Sequence, residues 1–267
     1  MLKADLHIHS TISDGSDTIE EIIKKAQKAN LDVIAITDHD TLSHHEKIPT
    51  TVDGLHVLAG IEISAIDPKT MVKAHILGYG IQDISMVDSL THPLLERRHE
   101  NSLRQIRILQ QNGYNIDIEK LNKANGKYIY KQHIMEYLCR TKQVGDMFGT
   151  FYKTVFKNGG ICDFDISYID VFEGVETIQK AGGKAVLAHS GQQQNFYLID
   201  KLVPLGLQGL EYNHLANSPQ DKEILKKYAE KYGLFLTGGS DYHGKNEAIP
   251  NEIGSILSEE SGAKALC

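Results

Sequence analysis

The sequence predicts an α/β fold on a parallel, barrel-like sheet, and three observations lead there. Short β-branched runs alternate with amphipathic helical segments along most of the chain, as in βα units wound around one sheet. Acidic residues and histidines fall where those runs end, at the rim where a parallel barrel gathers its active residues. The third is size: 267 residues, 41% hydrophobic and 24% charged, is a length and composition that α/β barrels reach as one domain.

Residues 2–9 (LKADLHIH) read as the first strand. Thr18 and Glu21 form a capping box, opening a helix that sets Ile19, Ile22, Ile23, Ala26 and Ala29 at helical spacing. The continuous run 33–37 (VIAIT) is a buried strand, and residues 55–64 and 72–79 are two more. Residues 168–181 form a helix closed by Gly182-Gly183, followed by strands over 184–188 and 207–211. Ser218-Pro219 opens a helix to about Tyr232, with proline where its missing N–H costs nothing, and 234–237 is the seventh strand. Residues 84–163 break the rhythm with helices over about 92–111, 131–141 and 146–157. They predict a helical insertion, a cap over the substrate, in a barrel made of residues 1–83 and 164–267.

Composition excludes several classes. Three widely spaced cysteines, Cys139, Cys162 and Cys267, rule against a disulfide scaffold and a cysteine zinc module. No apolar run reaches the ~18 residues of a membrane span, so no membrane partner is expected. The first residues lack the apolar stretch of a signal peptide, which predicts a cytoplasmic setting. A net charge of −7 argues against duplex DNA as a partner.

The chemistry gathers at strand ends. His7 and His9 leave one face of the first strand, and Asp14 follows in the turn. His39 ends the second strand, Glu62 lies near the end of the third, His75 within the fourth and His189 at the end of the fifth. Asp241 and His243 follow the last. These nine donors are too many for one tetrahedral zinc and enough for two or three divalent ions, with manganese, iron and zinc all suited to mixed histidine and carboxylate ligation. Asp38 and Asp40 read either as ligands or as turn residues that orient His39. His44, His45, His56, His92 and His99 read as solvated or helix-face residues.

The blocks DLHIHSTISDG, AITDHDT, GIEIS, HILGYG, VLAHS and GGSDYHG resemble, in order, the motifs of the PHP (polymerase and histidinol phosphatase) family of metal-dependent phosphoesterases. The insert is similar to that of small stand-alone members acting on nucleoside 3′,5′-bisphosphates and short oligoribonucleotides. The resemblance implies a distorted seven-stranded (β/α) barrel of the TIM-like kind. It implies three ligand sets: His7, His9, Glu62 and Asp241; Glu62, His75 and His189, with Glu62 bridging; and Asp14, His39 and His243. The common Ala-His-Pro is Ala-His-Ser190 here, and the Arg-Pro-His of related inserts is Lys131-Gln132-His133.

The implied function is hydrolysis of a phosphate ester by metal-activated hydroxide, on a small nucleotide or a short RNA 5′ end, with Glu62, Asp241 and His189 carrying catalysis. Two or three divalent ions would reverse the local field of an acidic protein and attract phosphate. Lys131, His133, Arg97, Arg98 and His214 are the candidate substrate contacts. Histidinol-phosphate phosphatase is the alternative, and a non-catalytic metal-stabilised binding module a more distant one.

Overall fold

The structure, a computed structural model, describes residues 2–247 and 249–267. Its elements are β1 (Ala4–Ile8), α1 (Ile19–Lys28), β2 (Val33–Ile36), β3 (Thr51–Val52), β4 (Leu55–Ile66), β5 (Lys73–Tyr79), α2 (Ile84–Gln111), α3 (Lys131–Arg140), α4 (Thr150–Val155), β6 (Ile169–Asp170) and α5 (Val171–Lys180). After these come β7 (Lys184–Leu187), the single turns α6 (Ser190–Gln193) and α7 (Ile199–Leu202), β8 (Leu207–Asn213), α8 (Pro219–Tyr232), β9 (Phe235–Gly238) and α9 (Glu260–Leu266). The expected capping box of Thr18 with Glu21 closes the first turn of α1, and a similar box of Ser218 with Asp221 closes that of α8.

All seven expected strands lie on the path β1-β2-β4-β5-β7-β8-β9, with β3 and β6 paired to β4 off that path. The pairing departs from a parallel barrel, because β5 runs antiparallel to both β4 and β7. The cause is the short link from Ile66 to Lys73: a parallel crossover takes a dozen or more residues, so this link can only turn the chain back. The reversal has a consequence for the site. The other strands bring their C-terminal ends to the rim, whereas β5 brings its N-terminal end, which carries His75 opposite Ser64. The sheet curls into a half-barrel. Its outer strands meet through a single bridge between Ile8 and Tyr242, with His9 N donating to Tyr242 O at 2.9 Å, rather than through a closing ladder.

Ile61, Ile63, Ile76, Leu187 and Leu210 from the sheet pack against Val175 and Ile178 of α5, and a second cluster seats Ile22 of α1 on Ile34 and Ile36. A further cluster, including Ile106, Leu109, Ile134, Leu138 and Phe156, is built wholly from residues 103–164. Helix α2 belongs to both worlds: Val87 and Leu94 join the sheet-side core, Ile106 and Leu109 the helical one. It starts earlier than the expected residue 92, because Asp83 caps it by accepting from Met86 N at 3.1 Å, and it holds Pro93 inside. Helix α4 is shorter than the expected 146–157. Gly149 opens it, and left-handed Asn158 and Gly159 follow its end. Among the described residues no helix is long and apolar enough to cross a membrane.

Candidate metal centre

The rim is assembled by close backbone approach. A Cβ on Gly239 would lie 2.4 Å from His7 N, so only glycine lets the chain leaving β9 lie against β1 and deliver Asp241 beside His7 and His9. Asp241 (φ 54) and His189 (φ 23) both take positive φ, a conformation costing ~1–3 kcal/mol that persists only where the surroundings enforce it.

Glu62 is the hub. Its Oε2 lies 3.2 Å from His7 Nε2, 3.1 Å from His9 Nε2 and 3.2 Å from His39 Nδ1. Its Oε1 lies 2.7 Å from His75 Nδ1 and 2.9 Å from His189 Nε2. Asp241 Oδ1 lies 3.3 Å from His7 Nε2 and 3.2 Å from His9 Nε2. Asp14 faces His243 Nε2 at 3.5 Å and His39 Nε2 at 4.0 Å. All nine residues expected as donors meet in this mouth. The geometry groups them as His7, His9, Glu62 and Asp241; His39, Glu62 and His75; and His9, Asp14, His39 and His243. His189 reaches Glu62 from the far side.

The donor set fits divalent ions. His7 Nε2, His9 Nε2, His39 Nδ1 and Asp241 Oδ1 are buried yet make no hydrogen bond, although they face oxygens or nitrogens only 3.1–3.3 Å away. Buried polar atoms are rarely left so, and lone pairs aimed at shared points are what a cation requires. The electrostatics agree. Burial opposes ionisation of Glu62, but the imidazoles of His75, His39 and His7 outweigh it and hold its carboxyl well below the usual range. Burial pushes His39 down to about 3, and it also opposes the charge on His243, which Asp14 nevertheless lifts to about 10. The oxygen and nitrogen donors suit manganese, iron or zinc.

Behind the donors lies a layer the sequence pattern reveals only in part. Asp38 accepts from the backbone and hydroxyl of both Ser10 and Ser13, and its partner His44 is fully buried, not solvated as expected, with Nε2 on Gly60 O at 3.1 Å. Asp40 accepts from Ser64 N at 2.7 Å and pairs with Arg98 at 2.7 Å. Both aspartates therefore serve the turn around His39. Asp5 ties Ser240 and Gly254 to β1. Glu211 bonds His7 Nδ1 at 2.8 Å and His189 N at 2.8 Å. An acid ending an apolar strand is the available signal for Glu211, but the pattern of residues 207–211 by itself marks only a strand.

Two cavities flank the donors and share Gln132 and Gln192. One, of about 370 Å³, is lined by Asp14, His39 and His75 on the metal side, by Tyr152 and Tyr168, and by the cations Lys73, Arg98, Lys131 and Lys157. Lys73 is paired with Asp165 and Arg98 with Asp40, but Lys131 and Lys157 have no acidic partner among the described residues. Burial, followed by repulsion from Lys157, pulls Lys131 down to about 8. The other cavity, of about 340 Å³, carries Phe148, Leu215, Ala216 and Ile249 beside Asp241, His243 and His214, and no lysine or arginine.

The expected substrate contacts separate accordingly. Lys131 and Arg98 line the cationic cavity, and His214 the one without lysine or arginine, its Nε2 3.2 Å from Asp241 Oδ2. Arg97 lines neither and donates to Ser167 O. His133 is buried, accepts from Tyr130 N and lines a different hollow beside Lys123 and Glu136. Gln132, which carries no signal in the sequence pattern, donates to Asp14 Oδ2 at 2.7 Å.

Comparison with known proteins agrees with this geometry. Residues 5–246 match the PHP domain family. The chain is 41% identical over 254 residues to the phosphoribosyl 1,2-cyclic phosphate 1,2-diphosphodiesterase of Eggerthella lenta, covering 92% of this chain and 96% of that one. It is 28% identical over 267 residues to the 3′,5′-nucleoside bisphosphate phosphatase of Chromobacterium violaceum, covering 92% and 89%. A crystal structure from Bifidobacterium adolescentis, assigned as a metal-dependent phosphoesterase, superposes with a TM-score of 0.88 at 26% identity, over 98% of this chain and 94% of that one.

Proposed function

The chain belongs to the PHP domain family, and we propose that this metal-dependent phosphoesterase hydrolyses a phosphate ester of a small ribose compound bearing a second phosphate, at a centre of two or three divalent ions. The observation that carries the reading is Glu62, one carboxylate whose two oxygens face separate groups of imidazoles, beside a cavity holding two unpaired lysines.

His7, His9, Glu62 and Asp241 would hold one ion, Glu62, His75 and His189 a second, and Asp14, His39 and His243 a third. Such ions supply Lewis acidity toward phosphoryl oxygens and a nucleophile from water at neutral pH. The chain's own part is placement. Glu211 keeps a proton on His7 Nδ1, which leaves Nε2 as a lone pair. His214 accepts from Ala216 N at Nδ1, so its Nε2–H donates to Asp241 and fixes that carboxylate. Lys131 and Lys157 bind the phosphate that does not react, and the cavity walled by Phe148, Leu215 and Ile249 takes the uncharged remainder of the substrate. Residues 84–163 act as the substrate cap, set over a half-barrel of residues 1–83 and 164–267.

Both named relatives take substrates with more than one esterified position, and the cationic cavity gives a physical reason to expect the same here. It also weighs against histidinol phosphate, whose ammonium group would face Lys131 and Lys157. The test is phosphate release from a nucleoside 3′,5′-bisphosphate, from phosphoribosyl 1,2-cyclic phosphate and from a nucleoside monophosphate, beside mononucleotide release from a 5′-phosphorylated dinucleotide. We expect a chelator to abolish turnover and kcat/KM to favour a substrate with a second phosphate at least about tenfold over the monophosphate. Equal rates on bisphosphate and monophosphate, or a preference for histidinol phosphate, overturn the substrate class. At most one ion per chain by elemental analysis after reconstitution overturns the multi-ion centre.

A further inference from the structure

We infer that Glu211, two residues before the C-terminal end of β8, is a positioning residue that couples two ion sites by holding one histidine of each. It is fully buried, and neither oxygen faces the mouth. Oε1 accepts from His7 Nδ1 at 2.8 Å, and Oε2 accepts from the backbone N–H of His189 at 2.8 Å. The first bond sets a tautomer, and the second sets a backbone. His189 sits at φ 23, and the N–H bond to Glu211 holds that turn while its ring aims Nε2 at Glu62 Oε1, 2.9 Å away. His7 meanwhile aims Nε2 at Glu62 Oε2 and Asp241 Oδ1. The strand carrying Glu211 is fastened in turn by Asn217, whose amide donates to the carbonyls of Glu211 and Tyr212.

His7, His189 and Glu211 lie close enough together to suggest a metal cluster of their own. The hydrogen bonds assign Glu211 differently. Both of its oxygens are spent on N–H donors, and its His7 contact uses the ring nitrogen turned away from the mouth. A carboxylate behind a ligating histidine orients the ring and raises its basicity. Here one carboxylate does this for a ring in one donor set and for the backbone of a ring in another. Glutamine at this position cannot accept at both ends, so its amide NH₂ must face either His7 Nδ1 or the His189 N–H.

The inference rests on the metal reading above, and metal titration separates the two. Apo wild type and Glu211→Gln are titrated with Mn²⁺ by calorimetry and checked by elemental analysis. We expect the two ions held through His7 and His189 to weaken together by about 10- to 100-fold, any third ion to bind as before, and kcat to recover at saturating metal with KM unchanged. Glu211→Asp, which keeps the charge but is one methylene short, falls between. Unchanged affinities with only a lower melting temperature overturn the inference in favour of a purely structural role. Loss of a single ion that no concentration restores overturns it in favour of a ligand. A wild type that binds no Mn²⁺ defeats the metal reading itself. Should Glu211→Gln not fold, the same titration of Glu211→Asp decides the matter: both ions weakened together support the coupling, and unchanged affinities overturn it.

Discussion

The rim of the sheet and the helices that face it are built on opposite terms. On the rim His7, His9, Glu62 and His189 are buried, and His7 and the His189 turn are each held from behind by a second residue. Across the cleft, Lys131 is half-buried and Lys157 exposed, both on flexible stems without an acidic partner among the described residues. A rigid, convergent donor set can act on the transition state, whereas mobile charges that touch a remote phosphate mostly add binding common to ground and transition states. On the function proposed above, the two regions would divide the work, with turnover set on the rim and substrate choice in the insert.

The sharpest way to break that division is Glu62→Gln. It keeps the shape of the side chain but removes the charge that faces His7, His9 and His39 on one side and His75 and His189 on the other. We expect kcat to fall at least about 10³-fold, with fewer ions per chain by elemental analysis. Near-native turnover with a full ion complement would put the chemistry elsewhere.

Lys131→Ala tests the other region. KM should rise about tenfold for a substrate with a second phosphate and stay put for a simple monophosphate ester, with kcat little changed, because the contact is to a group that does not react. A matching loss on both substrates would show that the insert does not read the second phosphate.

The pH dependence sharpens the same point by a smaller amount. Burial and Lys157 pull Lys131 down to about 8, so its charge is present at neutral pH and is lost as pH rises through that value. For the doubly phosphorylated substrate, kcat/KM should fall about fivefold between pH 7 and 9 relative to the monophosphate, since this ratio reports the free enzyme. Lys131→Arg keeps its charge across the range and should flatten the difference. A profile identical in both proteins would remove Lys131 from substrate recognition.

The two regions also differ in how far the sequence reveals them. Strand ends advertise themselves, because an apolar β-branched run stopping at His, Asp or Glu has few bland explanations when it recurs in order. That is why His7, His39, Glu62 and His189 are legible in the sequence alone. The direction of β5 is hidden, since periodicity carries no orientation and only the short link after Ile66 betrays the hairpin. His44 is hidden for a different reason: a buried polar residue bonded to another buried polar residue leaves no mark in local pattern, and Glu211, though it ends an apolar run, carries no sign that it works from behind the donors. In the insert, charge alone cannot separate a lysine facing the cleft from an arginine facing away, because both lie on amphipathic helices whose burial the fold decides.

Arg97 and Arg98 make that last point testable, with the smallest effect of all. Adjacent in sequence and alike in chemistry, they part company in the fold. Arg98 turns inward, pairs with buried Asp40 at 2.7 Å and lies over the Tyr130 ring, whereas Arg97 donates its Nε to Ser167 O at 3.1 Å and lines neither cavity. A single hydrogen bond to an exposed carbonyl is readily replaced by water, so Arg97→Ala should shift stability by no more than about 0.5 kcal/mol. Its removal also leaves Lys131, Lys157 and the metal donors where they are. Steady-state kinetics on the doubly phosphorylated substrate should therefore give kcat and KM within about twofold of wild type. A selective rise in KM matching that of Lys131→Ala would mean that Arg97 swings into the cleft when substrate binds. The cationic surface would then be assembled by the ligand, and the insert would be the moving half of the site.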